Sequence, residues 1–379
     1  MDPRISRRDW LRGTALAALG LGLGPRLRLG AQELDRPPPE GRHINLAGNE
    51  NPFGPAPAVV QAILRAAPQS SRYPFREEYV LKELLAQKEG VTIDHIVLGN
   101  GCDELLALAA AAFLGPGSSL IAADPTYFQI TDYADKLGAE IRRIEHRLDT
   151  LQHDLPAMAA AVDGTTRLVY VCNPDNPSGT ILPPDVVAAF CREVAPRAPV
   201  FVDEVYLDLQ DDPVAQTQVA LVKQRLPVIV GRSFSKLHGL AGHRIGYVVT
   251  TPELATALSH RQMSSVNYLG VAAARASLFE TTFHAWSLRK IREGRARFCT
   301  LLDELDLRYV PSHGNFVFHR TGIPMADFQA TMKERGFLVG WPHAPAARYP
   351  DWCRVSIGTD DEMKQYAVAM RDVFRRPAA

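Results

Sequence analysis

What this chain of 379 residues lacks first is a surplus of either charge. Lysine plus arginine and aspartate plus glutamate number 42 each, so no global field draws it to nucleic acid or to an anionic membrane, and no clustered basic stripe changes that. Nucleic-acid binding is set aside. Cysteine is scarce as well: there are five, an odd number, with no metal-like CxxC pair, and no metal site is assigned. Cys172 falls in an apolar, strand-like run, and Cys191 and Cys299 fall in helix-like stretches, which points to buried free thiols and no structural disulfide. An apolar run of roughly 20 residues, the length needed to cross a bilayer, is also missing, so no stable membrane insertion is expected. What remains is ordinary globular composition, 46% hydrophobic and 22% charged. That length can bury a large core, which suggests one big α/β domain plus a smaller one.

The N-terminus differs from the rest. Ser6-Arg7-Arg8-Asp9-Trp10-Leu11-Arg12 precedes a mildly apolar run from Gly13 to Gly24, followed by Arg26, Arg28 and small residues near Ala31. Basic region, short apolar region and small residues form an export signal. The paired arginines resemble the twin-arginine (Tat) signal, with Trp10 where that pattern usually has Phe. The plainer reading is a basic tail or an uncleaved anchor. The expected organisation is a signal peptide over residues 1–31, a linker and N-terminal arm over 32–60 containing the stiff Pro37-Pro38-Pro39, a large domain over 61–275 and a small domain over 276–379. Export through the twin-arginine route would deliver a protein folded in a reducing compartment to the periplasm.

Short β-rich runs alternate with helical patterns through the middle of the chain. The runs are His95–Leu98, Leu120–Ala123, Glu140–Ile144, Leu168–Cys172, Val200–Asp203, Val228–Gly231 and Ile245–Val249. Several are continuously apolar rather than alternating, as in strands covered on both faces. Helix-like segments such as Glu104–Leu114 and Pro184–Val194 lie between them, which predicts a mostly parallel, seven-stranded, doubly wound sheet. After Thr250 the pattern changes. A long helical stretch from Thr282 to Leu305 leads to strand-like Asn315–Phe318 and Arg354–Ile357 bracketing a helix, Met325–Arg335, which reads as a smaller α+β C-terminal domain.

The chemistry concentrates in Ser233-Phe234-Ser235-Lys236-Leu237-His238-Gly239-Leu240-Ala241-Gly242-His243-Arg244. A lysine that forms a Schiff base needs a neutral amine, which desolvation and nearby cations favour. A phosphate beside it needs donors, which Ser233, Ser235 and a bidentate Arg244 would supply. The plainer reading is a glycine-rich surface loop with a solvated lysine. Leu98-Gly99-Asn100-Gly101-Cys102-Asp103-Glu104 leaves a strand and opens a helix, whose first N–H groups suit a phosphate. Asp103 has the alternative of being a simple N-cap. Asp203 ends an apolar strand, where open α/β sheets bind ligands. It suits the acidic partner that keeps the ring nitrogen of pyridoxal-5'-phosphate (PLP) protonated. Tyr206 stands within reach of the ring oxygen, and Asn176, in an Asn-Pro-rich loop, offers it a second donor. Tyr127 follows a strand and would stack on a flat ring, or else is a packing residue.

Together, Asn176, Asp203, Tyr206, Lys236 and Arg244, in these local motifs, resemble the fold-type I PLP enzymes of the class I/II aminotransferases, and the histidinol-phosphate aminotransferase group in particular. Asn49-Glu50-Asn51-Pro52, Arg72-Tyr73-Pro74, Leu98–Glu104, Asn173–Thr180, Ser233–Tyr247 and Arg354–Thr359 match that pattern in order, over residues 44 to 375. The resemblance implies a fold-type I PLP-transferase in which Lys236 is the Schiff-base lysine and proton carrier. Asp203 would pair with the pyridine nitrogen, and Asn176 and Tyr206 would bind the ring oxygen. Gly101, Cys102, Asp103, Ser233, Ser235 and Arg244 would hold the phosphate, with Tyr127 stacked on the ring. Tyr73 would reach the phosphate from a second subunit of a homodimer. Arg354 would clamp the substrate's anionic group, with Asn49 beside it.

Two departures stand out. Cys102 occupies the place of a usual Ser, which removes a hydroxyl donor and keeps the backbone N–H. Gly340, in Phe337-Leu338-Val339-Gly340, occupies the place of an arginine that grips substrate phosphate, a loss worth a few kcal/mol. The Trp341-Pro342-His343 segment is expected to shape a different pocket. The expected reaction is ping-pong transfer between an amino acid or amine and a 2-oxo acid. A decarboxylase resembling threonine-phosphate decarboxylase is the alternative on the same scaffold. A PLP-binding regulator would need a DNA-binding domain ahead of the fold, where only a leader is read.

Overall fold

Residues 43–340 and 349–374 are described by the computed structural model. The twin-arginine segment, the proline spacer and Trp341–His343 lie outside these described residues. In chain order the strands are β1 (Ile44–Asn45), β2 (Ile96–Gly99), β3 (Ser119–Asp124), β4 (Glu140–Glu145), β5 (Thr166–Cys172), β6 (Val200–Asp203), β7 (Val228–Ser233), β8 (Gly246–Val249), β9 (Phe316–Arg320), β10 (Phe337–Leu338) and β11 (Trp352–Ser356). The seven runs read from the sequence are β2 to β8. They form one sheet in the order β2-β8-β7-β6-β5-β3-β4, parallel throughout except for β8, which is antiparallel to both neighbours.

The continuous apolar runs are explained by helices on both faces. Val169 and Val171 of β5, with Val200 and Val202 of β6 and Val228 and Val230 of β7, pack under the Phe75–Glu89, Pro184–Val194 and Tyr268–Ser277 helices. Their neighbours Leu168, Tyr170, Phe201 and Ile229 point the other way, into a core shared with the Cys102–Phe113, Gln129–Lys136 and Pro252–Ser259 helices. Each such residue contributes roughly 1.5–3 kcal/mol of burial, and together they hold rigid the strand ends that carry the site.

The C-terminal part is antiparallel β9 and β11 with the Thr281–Glu304, Met325–Glu334 and Asp360–Val373 helices, around Phe298, Leu302, Val317, Phe328, Val355 and Tyr366. A capping box between Thr359 and Glu362 starts the last helix.

Two of the expected domain boundaries fall within helices. Position 60 lies inside the Pro57–Ala66 helix, started by Pro57 in its first turn, and position 275 lies inside the Tyr268–Ser277 helix. The expected arm packs against the C-terminal part. Its β1 pairs in parallel with β10, and Leu46 is buried in the C-terminal core. No described helix is long and apolar enough to cross a membrane.

Candidate active site

The C-terminal ends of β2, β3, β5, β6 and β7 converge on a cavity of about 390 Å³. Its lining includes Asn49, Cys102, Asp103, Tyr127, Asn176, Asp203, Tyr206, Ser233, Ser235, Lys236, Arg244 and Arg354. Residues from positions 49 to 354 thus meet where a parallel sheet opens. Of the residues expected at the site, only Tyr73 and Gly101 do not line the cavity. Gly101 lies at its edge. Tyr73 is 78% exposed and stacks on Phe75 at 5.6 Å, so within one chain it contributes nothing there.

Lys236 follows β7 and is half-buried. Its Nζ donates to the Asn49 carbonyl at 3.2 Å and stands 5.2 Å from the Tyr206 ring centre. Burial, with Arg354 nearby, pushes the amine down to about 8, so a substantial neutral fraction exists near neutral pH. Asp203, at the end of β6, is buried. Its Oδ2 accepts from the Tyr170 hydroxyl at 2.8 Å and its Oδ1 from the Val205 N–H at 3.3 Å, with the Cys102 thiol 3.8 Å away. No ion pair to Asp203 is formed among the described residues, and burial raises its carboxyl to about 6.

Tyr206 is held by two amides. Asn49 Nδ2 donates to its hydroxyl at 3.0 Å and Asn176 Nδ2 at 3.2 Å. Asn176 Oδ1 in turn accepts from Arg354 Nη1 at 2.6 Å, and Arg354 Nη2 donates to the Ala47 carbonyl at 2.6 Å. Arg354 Nε, on β11, is buried without a partner, and the whole guanidinium is buried with no carboxylate beside it among the described residues. A desolvated cation of this kind calls for an anion.

At the other end, Gly101 has φ +84 and starts the Cys102–Phe113 helix with no side-chain cap. A Cβ at Gly101 would lie 2.2 Å from Arg244 Nη2, so glycine is what allows the guanidinium to sit over the helix start. The Asp103 carboxylate accepts from Arg244 Nη2 at 2.7 Å and from the Tyr127 hydroxyl at 2.8 Å. Its expected part in holding a phosphate therefore falls to its backbone N–H, while its side chain orients Arg244 and Tyr127. Ser233 Oγ accepts from the Ser235 N–H at 3.0 Å.

Two supporting residues escaped the sequence reading. Tyr170 sits in a continuous apolar run and reads as core, although its hydroxyl orients Asp203. Ser356 Oγ accepts from the Asn49 N–H at 2.8 Å and donates to Asn49 Oδ1 at 3.0 Å. That fixes Asn49 at φ +51, an uncommon conformation that asparagine tolerates better than most residues. The left-handed Asn49 was the signal available; its sequence showed only a motif.

The family model for class I and II aminotransferases matches residues 42–370. Histidinol-phosphate aminotransferase of Moorella thermoacetica is 36% identical over 334 residues, covering 87% of this chain and 85% of that protein. Histidinol-phosphate aminotransferase 2 of Ralstonia nicotianae is 38% identical over 341 residues, covering 89% of this chain and 90% of that protein. The crystal structure of histidinol-phosphate aminotransferase from Sinorhizobium meliloti in complex with pyridoxal-5'-phosphate has a TM-score of 0.83 at 28% identity, covering 99% of this chain and 98% of that one. With the cavity, the lysine at the end of β7 and these matches over nearly the whole described chain, the protein belongs to the class I and II aminotransferase family.

Proposed function

We propose that this chain is a PLP-dependent aminotransferase moving an amino group between an amino acid and a 2-oxo acid in ping-pong order. The single observation that carries the reading is the pairing of a half-buried lysine, Lys236, with a buried carboxylate, Asp203, that forms no ion pair among the described residues. A protonated pyridine nitrogen is the partner Asp203 is missing. The donor set fits the remainder of the cofactor. Arg244 and the free N–H groups at the Cys102–Phe113 helix start suit a dianionic phosphate, with Ser233 and Ser235 beside them. Tyr206, fixed by Asn49 and Asn176, suits the ring oxygen, and Tyr127 the ring face. When bound, PLP supplies an aldehyde for the amine and an electron sink for the charge left at Cα.

The chain's own residues do the rest. Arg354, free of any described carboxylate, binds the substrate carboxylate and sets which Cα bond stands upright over the ring. Lys236 Nζ takes the Cα proton and returns it one carbon away, a task suited to an amine near 8. Asp203 keeps its charge beside the ring because Tyr170 and the Val205 N–H hold it.

Gly340 supports a substrate other than histidinol phosphate. Its φ is +96, its N–H donates to the Arg354 carbonyl at 3.0 Å, and a Cβ there would meet Gln329 Nε2 at 2.3 Å. The backbone at this position is shaped for glycine, so no phosphate-gripping arginine fits without rearrangement. A homodimer is supported by exposed Tyr73, Phe75 and Tyr79 clustered in sequence. The paired Arg7 and Arg8 support twin-arginine export to the periplasm; changing both to Lys is expected to leave the protein in the cytoplasm on fractionation.

The test is direct. Purified protein is loaded with PLP and treated with borohydride, and tryptic peptides are mapped. A fixed adduct at Lys236, together with 2-oxo acid release from one member of an amino-acid panel, is the expected result. Release of carbon dioxide instead would assign the scaffold to decarboxylation, and absence of an adduct at position 236 would refute the whole reading.

A further inference from the structure

A second cluster of titratable groups lies outside the cavity. His146 follows β4, His153 precedes the Leu155–Ala160 helix, and Asp175 sits on the loop after β5. All three are buried, with side-chain exposures of 1%, 1% and 2%, and one ligand atom from each lies within 4.8 Å of the others. His153 Nε2 is 3.0 Å from Asp175 Oδ1. His146 Nε2 is 3.9 Å from Asp175 Oδ2, too far for a hydrogen bond, and has no other partner. A buried imidazole nitrogen aimed at a carboxylate but not bonded to it is a costly arrangement.

The geometry points to a divalent transition-metal site, of the class that takes zinc, built from His146, His153 and Asp175. Bonds of about 2.0–2.1 Å to nitrogen and oxygen in a tetrahedron separate neighbouring ligand atoms by about 3.3 Å. The 3.0 and 3.9 Å separations bracket that value. Two imidazoles on one such ion have ring centres about 5.2 Å apart by the same geometry, and here the centres are 5.2 Å apart.

The carboxylate is also supported from behind: Ser178 N–H and Oγ donate to Asp175 Oδ2 at 3.1 and 2.6 Å, as outer-shell partners do at metal centres. A cavity of about 310 Å³ lined by Gln152 and Thr180 lies near the cluster in sequence, next to His153 and two residues beyond Ser178. The fourth position is left for water. An ion here would tie the segment after β4 to the loop bearing Asn176, and so steady the residue that holds Tyr206 and Arg354.

The site is tested on cofactor-loaded full-length protein, first analysed for metal as purified, then stripped with a chelator and titrated with cobalt(II). One ion per chain is expected, with the visible ligand-field bands of a tetrahedral centre, displaced by zinc(II) and accompanied by a higher Tm. His146→Gln and Asp175→Asn should abolish the bands. Ser178→Ala, which keeps all three ligands, should weaken binding about 10–100-fold, and it keeps the test decisive if the buried substitutions impair folding. Wild-type protein that takes up no cobalt, bands that survive His146→Gln, or unchanged affinity in Ser178→Ala would each overturn the assignment.

Discussion

Replacing Asp203 by asparagine separates two energies that the wild-type residue combines. In the cofactor-free chain this carboxyl is buried, and desolvation lifts it from 3.8 to about 6 although Tyr170 and the Val205 N–H favour the charge. Two pKa units correspond to about 3 kcal/mol. Because the folded value is the raised one, the folded chain is most favoured below pH 4 and loses this stability as pH climbs from about 4 to about 6. Above that window the full penalty is present. Asparagine carries none of it: its Oδ1 still accepts from the Val205 N–H, and its Nδ2, in place of Oδ2, donates to the Tyr170 hydroxyl, which turns to accept. At pH 8 the cofactor-free variant is therefore expected to be more stable than wild type by about 1–3 kcal/mol, with the advantage vanishing near pH 4. PLP binding should move the other way, about 10–100-fold weaker, because a charged hydrogen bond to the ring nitrogen becomes a neutral one. Urea unfolding of both cofactor-free proteins at pH 4 and pH 8, beside a spectrophotometric titration with PLP, measures both. A cofactor-free variant less stable than wild type at pH 8, or a gain equal at both pH values, refutes the assignment of Asp203 as a carboxylate waiting for a cation.

Arg354→Gln should lower kcat/KM for the best amino donor about 100–1000-fold, from two charged hydrogen bonds lost in the transition state, while PLP affinity stays within a few-fold of wild type; steady-state kinetics with unchanged kcat/KM would remove Arg354 from the substrate site. Gly239→Ala should destabilise the fold by about 2–4 kcal/mol, because φ is +70 and the new Cβ would stand 2.3 Å from the Gly54 carbonyl oxygen. Gly242→Ala, with nothing within 4 Å of its Cβ, is the matched control, and equal denaturation midpoints for the two variants would contradict the steric argument.

The sheet was legible in the sequence because a strand covered on both faces has no choice but to be apolar along its length. Leu168 to Cys172 and Val200 to Val202 carry that constraint locally, with no knowledge of the rest of the chain. The two-residue strands β1 and β10 carry no such mark. Ile44 and Asn45 become a strand only because Phe337 and Leu338, nearly the whole chain away, offer an edge. The domain boundaries expected at 60 and 275 fall inside helices, because composition does not mark where packing carries an element across a change of domain.

The site divides along the same line, and the division is chemical. Lys236 and Asp203 could be read because their chemistry requires an amine and a carboxylate at strand ends, and few other residues serve. The groups that tune them were hidden, since a hydroxyl that orients a carboxylate, as in Tyr170, is indistinguishable in sequence from a core aromatic. Asn49 is the sharpest case. Expected beside the substrate, it lines the cavity, yet its hydrogen bonds run to Tyr206, to Lys236 through its carbonyl and to Ser356. A left-handed non-glycine residue costs about 1–3 kcal/mol, and Arg244, at φ +50, is a second one in the same cavity. Both conformations persist because the surrounding fold over-determines them: Ser356 grips Asn49 on two atoms, and Asp103 with the Ala241 carbonyl grips Arg244. Strain of this kind is a property of the folded ensemble of contacts rather than of any residue's identity. That is why a motif predicts that such a residue matters and only the structure says what it holds.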